Sequence, residues 1–282
     1  MRKSNIIITI DTEVGEMAKS NPCGFEQFVM GQVQKLEIGV PKILESLHQN
    51  RFSAEFFVDV YEQRVFGEDK YRKLCQTIYD TGSSVQLHTH PGYMYDKSRI
   101  FMHEYTLDEQ IKIISDGKNL IEKWIGSKSK AHRAGNYGAN NNTLYALEKN
   151  NIFIDSSFFY QNRKCKIELK TVNDSLYFND VLEIPVTVTK KYGSFSSNFP
   201  WFYQWQKLDI NLSSYQEIIK ALSRLKTDII TLFLHSSSFV NRDKTQIIAE
   251  SINYSDFKKF DQLLKYLKNH NYNVVTYENL GL

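Results

Sequence analysis

Short apolar runs alternate with amphipathic stretches from one end of the chain to the other, and the period within each run predicts an element. Asn5–Asp11 is dense in β-branched Ile and Thr and reads as a buried strand. Pro41 suits a first helical position, and Ile43, Leu44 and Leu47 follow it at helical spacing. Ala54–Val58 predicts a second strand, Lys70–Asp80 a helix closed by the Thr81-Gly82 turn, and Val85–His90 a third strand. Thr106 and Glu109 have capping-box spacing ahead of a long amphipathic helix through Trp124.

The rhythm continues with a strand at Lys130–Arg133, a helix at Leu144–Asn150 and strands at Ile152–Asp155 and Val181–Val188. A second capping box, Ser214 with Glu217, opens a helix to Leu225; strand Ile229–Leu234, helix Ser255–Asn269 and strand Asn273–Tyr277 follow. Strands separated by helices predict right-handed crossovers and a mainly parallel α/β sheet. No linker rich in Pro, Gly or Ser divides these units, so the pattern predicts one closed barrel rather than two domains. Two segments break the rhythm. Glu13–Gln32 is a long connection, and Lys190–Leu208 reads as an aromatic loop carrying Phe195, Phe199, Trp201, Phe202, Tyr203 and Trp205. Its aromatics suit stacking on a sugar ring, and equally suit core packing or a partner contact.

Composition removes several classes of protein. With 41% hydrophobic and 24% charged residues over 282 positions, the chain can bury enough surface to fold. A net charge of +3, from 35 Lys and Arg against 32 Asp and Glu, gives no basic face suited to nucleic acid. Mean hydropathy of −0.43, with no long apolar run, predicts no membrane span. The N-terminus enters the first strand without a secretory leader, and Cys23, Cys75 and Cys165 are odd in number and widely spaced. Both features predict a cytoplasmic protein with reduced, buried or half-buried thiols.

The chemistry concentrates at strand ends. Asp11-Thr12-Glu13, His88-Thr89-His90-Pro91, Arg133, Asp155-Ser156-Ser157 and His235-Ser236 each follow a predicted strand, and in a barrel such ends converge on one face. His88 and His90 leave the same side of an extended segment, as do Asp11 and Glu13. Two imidazoles and one carboxylate form a divalent-metal set with positions left for water. An H-x-H pair alone is more often simply hydrogen-bonded; the second pair of the same period favours metal. His235 reads as a structural hydrogen-bonder or a general acid, and Arg133 as an ordinary ion-pair partner or the group that orients a carboxylate. No nucleophile elbow, P-loop or dinucleotide fingerprint is present.

Taken in order, Ile8–Glu13, Leu87–Pro91, Arg133–Gly138, Asp155–Ser157, Leu182–Pro185 and Leu234–Ser236 resemble the successive motifs of polysaccharide deacetylases, the family 4 carbohydrate esterases. The resemblance runs from about Asn5 to His235 and implies a single domain over residues 1–282, an incomplete (β/α)7-type barrel of mainly parallel strands. It implies Asp11 as general base, Glu13, His88 and His90 as ligands of a divalent metal (usually zinc), Arg133 as the group orienting Asp11, and His235 as general acid. Backbone N–H groups near Tyr137 become the oxyanion hole; the aromatic density of Lys190–Leu208 separately places Trp201 and Trp205 on the substrate. Three departures stand out: Asp11-x-Glu13 replaces adjacent aspartates, Gln86 stands where an earlier histidine is usual, and one extra residue separates Arg133 from Tyr137. They resemble the branch acting in surface-polysaccharide or O-antigen assembly. That branch implies removal of an N-acetyl or N-formyl group from a nucleotide-linked, lipid-linked or polymeric amino sugar. Two rivals stay open: a metal-independent, allantoinase-like small-molecule amidohydrolase, motivated by Gln86, and a catalytically inactive glycan-binding protein.

Overall fold

Residues 4–193 and 202–280 are described by the computed structural model; Trp201 lies outside them. In chain order the strands are β1 (Asn5–Thr12), β2 (Gln32–Val33), β3 (Leu36–Glu37), β4 (Glu55–Asp59), β5 (Ser84–Thr89), β6 (Ala131–Ala134) and β7 (Ile154–Asp155). They continue as β8 (Leu176–Phe178), β9 (Val181–Glu183), β10 (Val188–Gly193), β11 (Phe202–Lys207), β12 (Ile229–His235), β13 (Val240–Arg242), β14 (Ala249–Ile252) and β15 (Asn273–Val274). The helices are α1 (Val40–Asn50), α2 (Gln63–Phe66), α3 (Glu68–Asp80), α4 (Leu107–Ile125), α5 (Asn141–Lys149), α6 (Tyr215–Arg224) and α7 (Tyr254–Asn269). Both predicted capping boxes form: Thr106 and Glu109 open α4, and Ser214 and Glu217 open α6.

The main sheet runs β12-β1-β4-β5-β6-β7-β9-β8, with β15 lying beside the start of β1. Its pairings are parallel except for the edge hairpin β8–β9. The barrel is therefore incomplete, as the resemblance implied, and the closed ladder predicted from the pattern does not form. Pro185, which has no N–H to give to a ladder, follows β9. The seam is bridged instead by reciprocal bonds between Thr187 and Thr231, each backbone N–H reaching the other hydroxyl at 2.8 Å. Residues 208–210 complete the bridge by bonding both polar groups of Phe233.

Strand alternation sorts the side chains. Ile6, Ile8, Ile10, Phe56, Val58, Leu87 and Leu232 face the helices, while Ile7, Phe57, Ala131, Ile154, Leu182 and Ile229 form an apolar layer inside the barrel. Tyr277 plugs its lower end. Above that layer the interior turns polar, and the site is built there.

Several local expectations need correction. Lys190–Leu208 is not a loop over its described residues: they form the antiparallel pair β10–β11, whose alternating Tyr203, Trp205 and Lys207 share one face. The strand expected over Val181–Val188 divides into β9 and the start of β10 around Pro185, and Asn273–Tyr277 contributes only the two residues of β15. The thiols are free, but Cys23 is exposed rather than buried. No helix among the described residues is long and apolar enough to cross a membrane.

Candidate active site

β1, β4, β5, β6 and β12 end on the same side of the barrel, and their inward positions meet. Asp11 is in register with Phe57 of β4 and His235 of β12, and His88 with Asp59 of β4 and Arg133 of β6. One donor atom each from Glu13, His88 and His90 lies within 4.8 Å of the others. Glu13 Oε2 stands 2.6 Å from His90 Nε2 and 3.6 Å from His88 Nε2. The 2.6 Å approach lacks hydrogen-bond alignment, and both atoms are buried without a hydrogen-bond partner. Buried polar atoms left so are costly, and a shared cation would satisfy them.

The neighbours of these residues favour the same fit. His88 Nδ1 lies 2.8 Å from the Arg133 carbonyl, an acceptor only, so a ring proton resides on Nδ1 and Nε2 faces the carboxylates. Gly135 lets the His90 ring pack against backbone, since a Cβ there would stand 2.5 Å from Cε1 and Nε2. Burial raises Glu13, but His90 and His88 outweigh it and hold the carboxyl well below its usual range. Burial likewise opposes charge on His90, yet Glu13 prevails and pushes the imidazole up to about 10, so without an ion the two form a salt bridge whose proton a metal would displace.

Asp11 takes a different position. Its Oδ1 accepts from Arg133 Nη1 at 2.7 Å, while Oδ2 faces His88 Nε2 at 3.9 Å. Burial pushes this carboxyl up; Arg133, His88 and His235 together pull it below its ordinary value. Arg133 is fully buried, bonds both the carbonyl and the hydroxyl of Ser156 at 3.0 Å, and stacks 4.2 Å from the Phe57 ring centre. His235 Nε2 is 3.8 Å from Glu13 Oε1 and about a third exposed; burial and Lys207 lower its pKa.

Tyr137 closes a turn in which Asn136 and Tyr137 both take positive φ, 54° and 61°. Its hydroxyl accepts from Lys207 Nζ at 3.1 Å. Trp205 packs edge-on against Tyr160 on the strand face that also carries Lys207.

Asp155 does not join this face. It points to the helix side, where Oδ1 meets His132 Nδ1 at 2.7 Å and His132 Nε2 meets the Thr89 hydroxyl at 2.9 Å. Ser156, of opposite parity, is the residue that reaches the site. Gln86 sits a layer below, tying Glu55 to the start of β6 through Lys130 N–H and Ala131 N–H. Its position in this barrel is structural.

Residues that sequence reasoning missed surround the site. Lys207 Nζ pairs with Asp209 at 3.1 Å and sits 3.4 Å above the Phe233 ring centre. Asp59 and Glu62 are fully buried behind His90; Glu62 accepts from Val14 N–H, Gly15 N–H and the Tyr71 hydroxyl, whereas Asp59 Oδ2 has no partner. An acidic residue interrupting the apolar run Phe56–Val60 was the available signal for Asp59.

No protein-family model matches the chain, and neither does any curated protein. Solved structures do. A protein of Mycobacterium smegmatis assigned as a polysaccharide deacetylase is 13% identical, with 100% of this chain and 96% of that one covered and a TM-score of 0.56. A peptidoglycan N-acetylglucosamine deacetylase is 15% identical over 99% of this chain and 88% of its own, with a TM-score of 0.51. A carbohydrate esterase family 4 pseudoenzyme from Bacillus anthracis is 12% identical over 99% of this chain and 66% of its own, with a TM-score of 0.50. What these share with the chain is the fold. Since that fold carries deacetylases and a pseudoenzyme alike, function has to be argued from the site.

Proposed function

We propose that the chain is a metal-dependent hydrolase that removes an N-acyl group, acetyl or formyl, from an amino sugar. The observation that carries this reading is the convergence of Glu13, His88 and His90, whose closest pair of atoms is buried without an aligned hydrogen bond, beside the Asp11–Arg133 pair and His235. Glu13, His88 and His90 would hold the ion. When bound, a divalent ion such as zinc supplies Lewis acidity, polarising a carbonyl and acidifying water.

The chain's own groups do the rest. Asp11, kept ionised by Arg133, accepts a proton at Oδ2, the oxygen that Arg133 leaves free. Arg133 fixes the rotation of that carboxyl, and Ser156 fixes Arg133. His235, made more acidic by burial and Lys207, hands a proton to the departing amine. Backbone N–H groups of the turn at Tyr137 steady the developing oxyanion, one such donor being worth about 3 kcal/mol. Trp205 stacks on the sugar.

The finer reading is a single-domain cytoplasmic enzyme of surface-polysaccharide assembly, acting on a nucleotide-linked, lipid-linked or polymeric sugar. The metal-independent alternative rested on Gln86, and Gln86 is engaged below the site. Metal content per chain, measured by plasma mass spectrometry on untagged protein purified without chelator, tests the reading together with turnover of N-acylated amino sugars. One ion per chain and amine release that Asp11→Asn abolishes are the expected results. A chain that cannot be loaded with metal would sink it.

A further inference from the structure

A cavity of about 300 Å³ opens on the far side of His235, lined among others by Ser238, Asn241, Arg242, Gln246 and Asn253. His235 belongs to both the cavity and the site, so one ligand can occupy the two. No carboxylate lines this cavity. Of the acids close by, Asp256 accepts from Asn211 and Asn253 and is neutralised by Lys259 at 2.8 Å, while Asp243 is taken up by the N–H groups of Thr245, Ile247 and Ile248.

Arg242 gives the cavity its charge. Its guanidinium lies flat on Phe28, 3.8 Å from the ring centre, with Nη1 donating to the Gln246 carbonyl at 3.1 Å and Nη2 to the Val14 carbonyl at 3.2 Å. Two of five N–H donors are thereby spent, both on neutral acceptors. Among the described residues no Asp or Glu comes within ion-pair distance of Arg242, whereas Arg133 is matched by Asp11 and Lys207 by Asp209. The bond to Val14, the residue after Glu13, places this cation, which Glu13 and Glu62 reach only through space, against the loop that carries the candidate metal ligand. A planar, pre-packed guanidinium facing a carboxylate-free polar cavity suits an oxyanion of matching geometry.

We infer that this cavity is a subsite for an anionic substituent of the substrate, a sugar carboxylate or a phosphate ester, held by Arg242. The inference rests on the hydrolase reading for its choice of sugar, but its test needs no turnover. Zinc-loaded full-length chain is titrated calorimetrically with N-acetylglucosamine, its 1-phosphate and its uronic acid. At least one anionic sugar is expected to bind tenfold or more tighter than the neutral one, and which of the two identifies the source of the anion. Asn241→Asp puts a carboxylate on the cavity wall without touching the packing of Arg242; it and Arg242→Gln should each cut that advantage by tenfold or more. No anionic advantage in the unaltered chain, or one that survives Asn241→Asp, overturns the subsite. Anion binding that depends on Arg242, in a chain that hydrolyses no amide, would keep the subsite and refute the hydrolase.

Discussion

Arg133 and Asp11 form a buried ion pair, Nη1 to Oδ1 at 2.7 Å, between residues 122 positions apart in the chain. The guanidinium is held further by two bonds to Ser156 and by the Phe57 and Phe233 rings, 4.2 and 5.3 Å from it. Breaking such a pair from one side strands the other charge in a medium that solvates it poorly. Arg133→Met should therefore cost about 3–5 kcal/mol, read as a fall in the urea midpoint. Arg133→Lys restores the charge without the fork that serves Asp11 and Ser156 together, so it should recover only part of the loss. Wild-type stability in Arg133→Met would show the pair to be dispensable.

His88→Ala and His90→Ala test the ligand assignment. Each removes a buried imidazole nitrogen aimed at Glu13, while Val14 and the helix-side core beneath β1 and β5 are left untouched. Truncation therefore should abolish metal binding while leaving the circular dichroism spectrum of a folded chain. Full metal occupancy in either variant would remove that histidine from the ligand set.

Gly135 makes a sharper probe, because it has no side chain with which to hold a metal. A methyl group there would stand 2.5 Å from the His90 ring, which must then shift, while the glycine's own φ is not in the left-handed region. Changes beside a metal ligand typically weaken binding about 10–100-fold, and Gly135→Ala should fall in that range when titrated against a competing chelator. Unaltered affinity would mean that His90 does not need its present position to bind.

The candidate ligand cluster was legible because a period of two survives from sequence to strand: Asp11 and Glu13, and His88 and His90, each share a face whatever their partners are. The same rule, applied without knowing where the strand starts to face inward, put Asp155 in the site when parity sends Ser156 there. Lys207 was out of reach for a different reason. It enters the site only because β11 pairs with β10 and residues 208–210 bridge to Phe233, contacts with no local signature. The open seam was legible only through the family resemblance and not from the local pattern, since its bridge depends on two threonines, Thr187 and Thr231, that lie 44 residues apart.

Glu55 carries a prediction about pH and stability, remote from the site. It points into the lower end of the barrel, fully buried, where Oε1 accepts from Tyr277 N–H at 2.6 Å and Oε2 from Gln86 Nε2 at 2.8 Å. Burial outweighs those bonds and pushes the carboxyl up from 4.5 to about 7. Between those two values the folded chain keeps a proton that the unfolded chain has released. The contribution of Glu55 to stability is therefore complete below the unfolded value and is lost as pH rises through the folded one. The shift sets a ceiling of about 3 kcal/mol on that loss. Glu55→Gln retains an acceptor for Tyr277 N–H and cannot ionise; its amide nitrogen opposes Gln86, a penalty that does not vary with pH. Urea unfolding from about pH 5 to about pH 8 should show wild type losing stability relative to Glu55→Gln as the pH rises. Parallel curves for the two proteins would mean that Glu55 carries its charge in the folded chain at the lower pH.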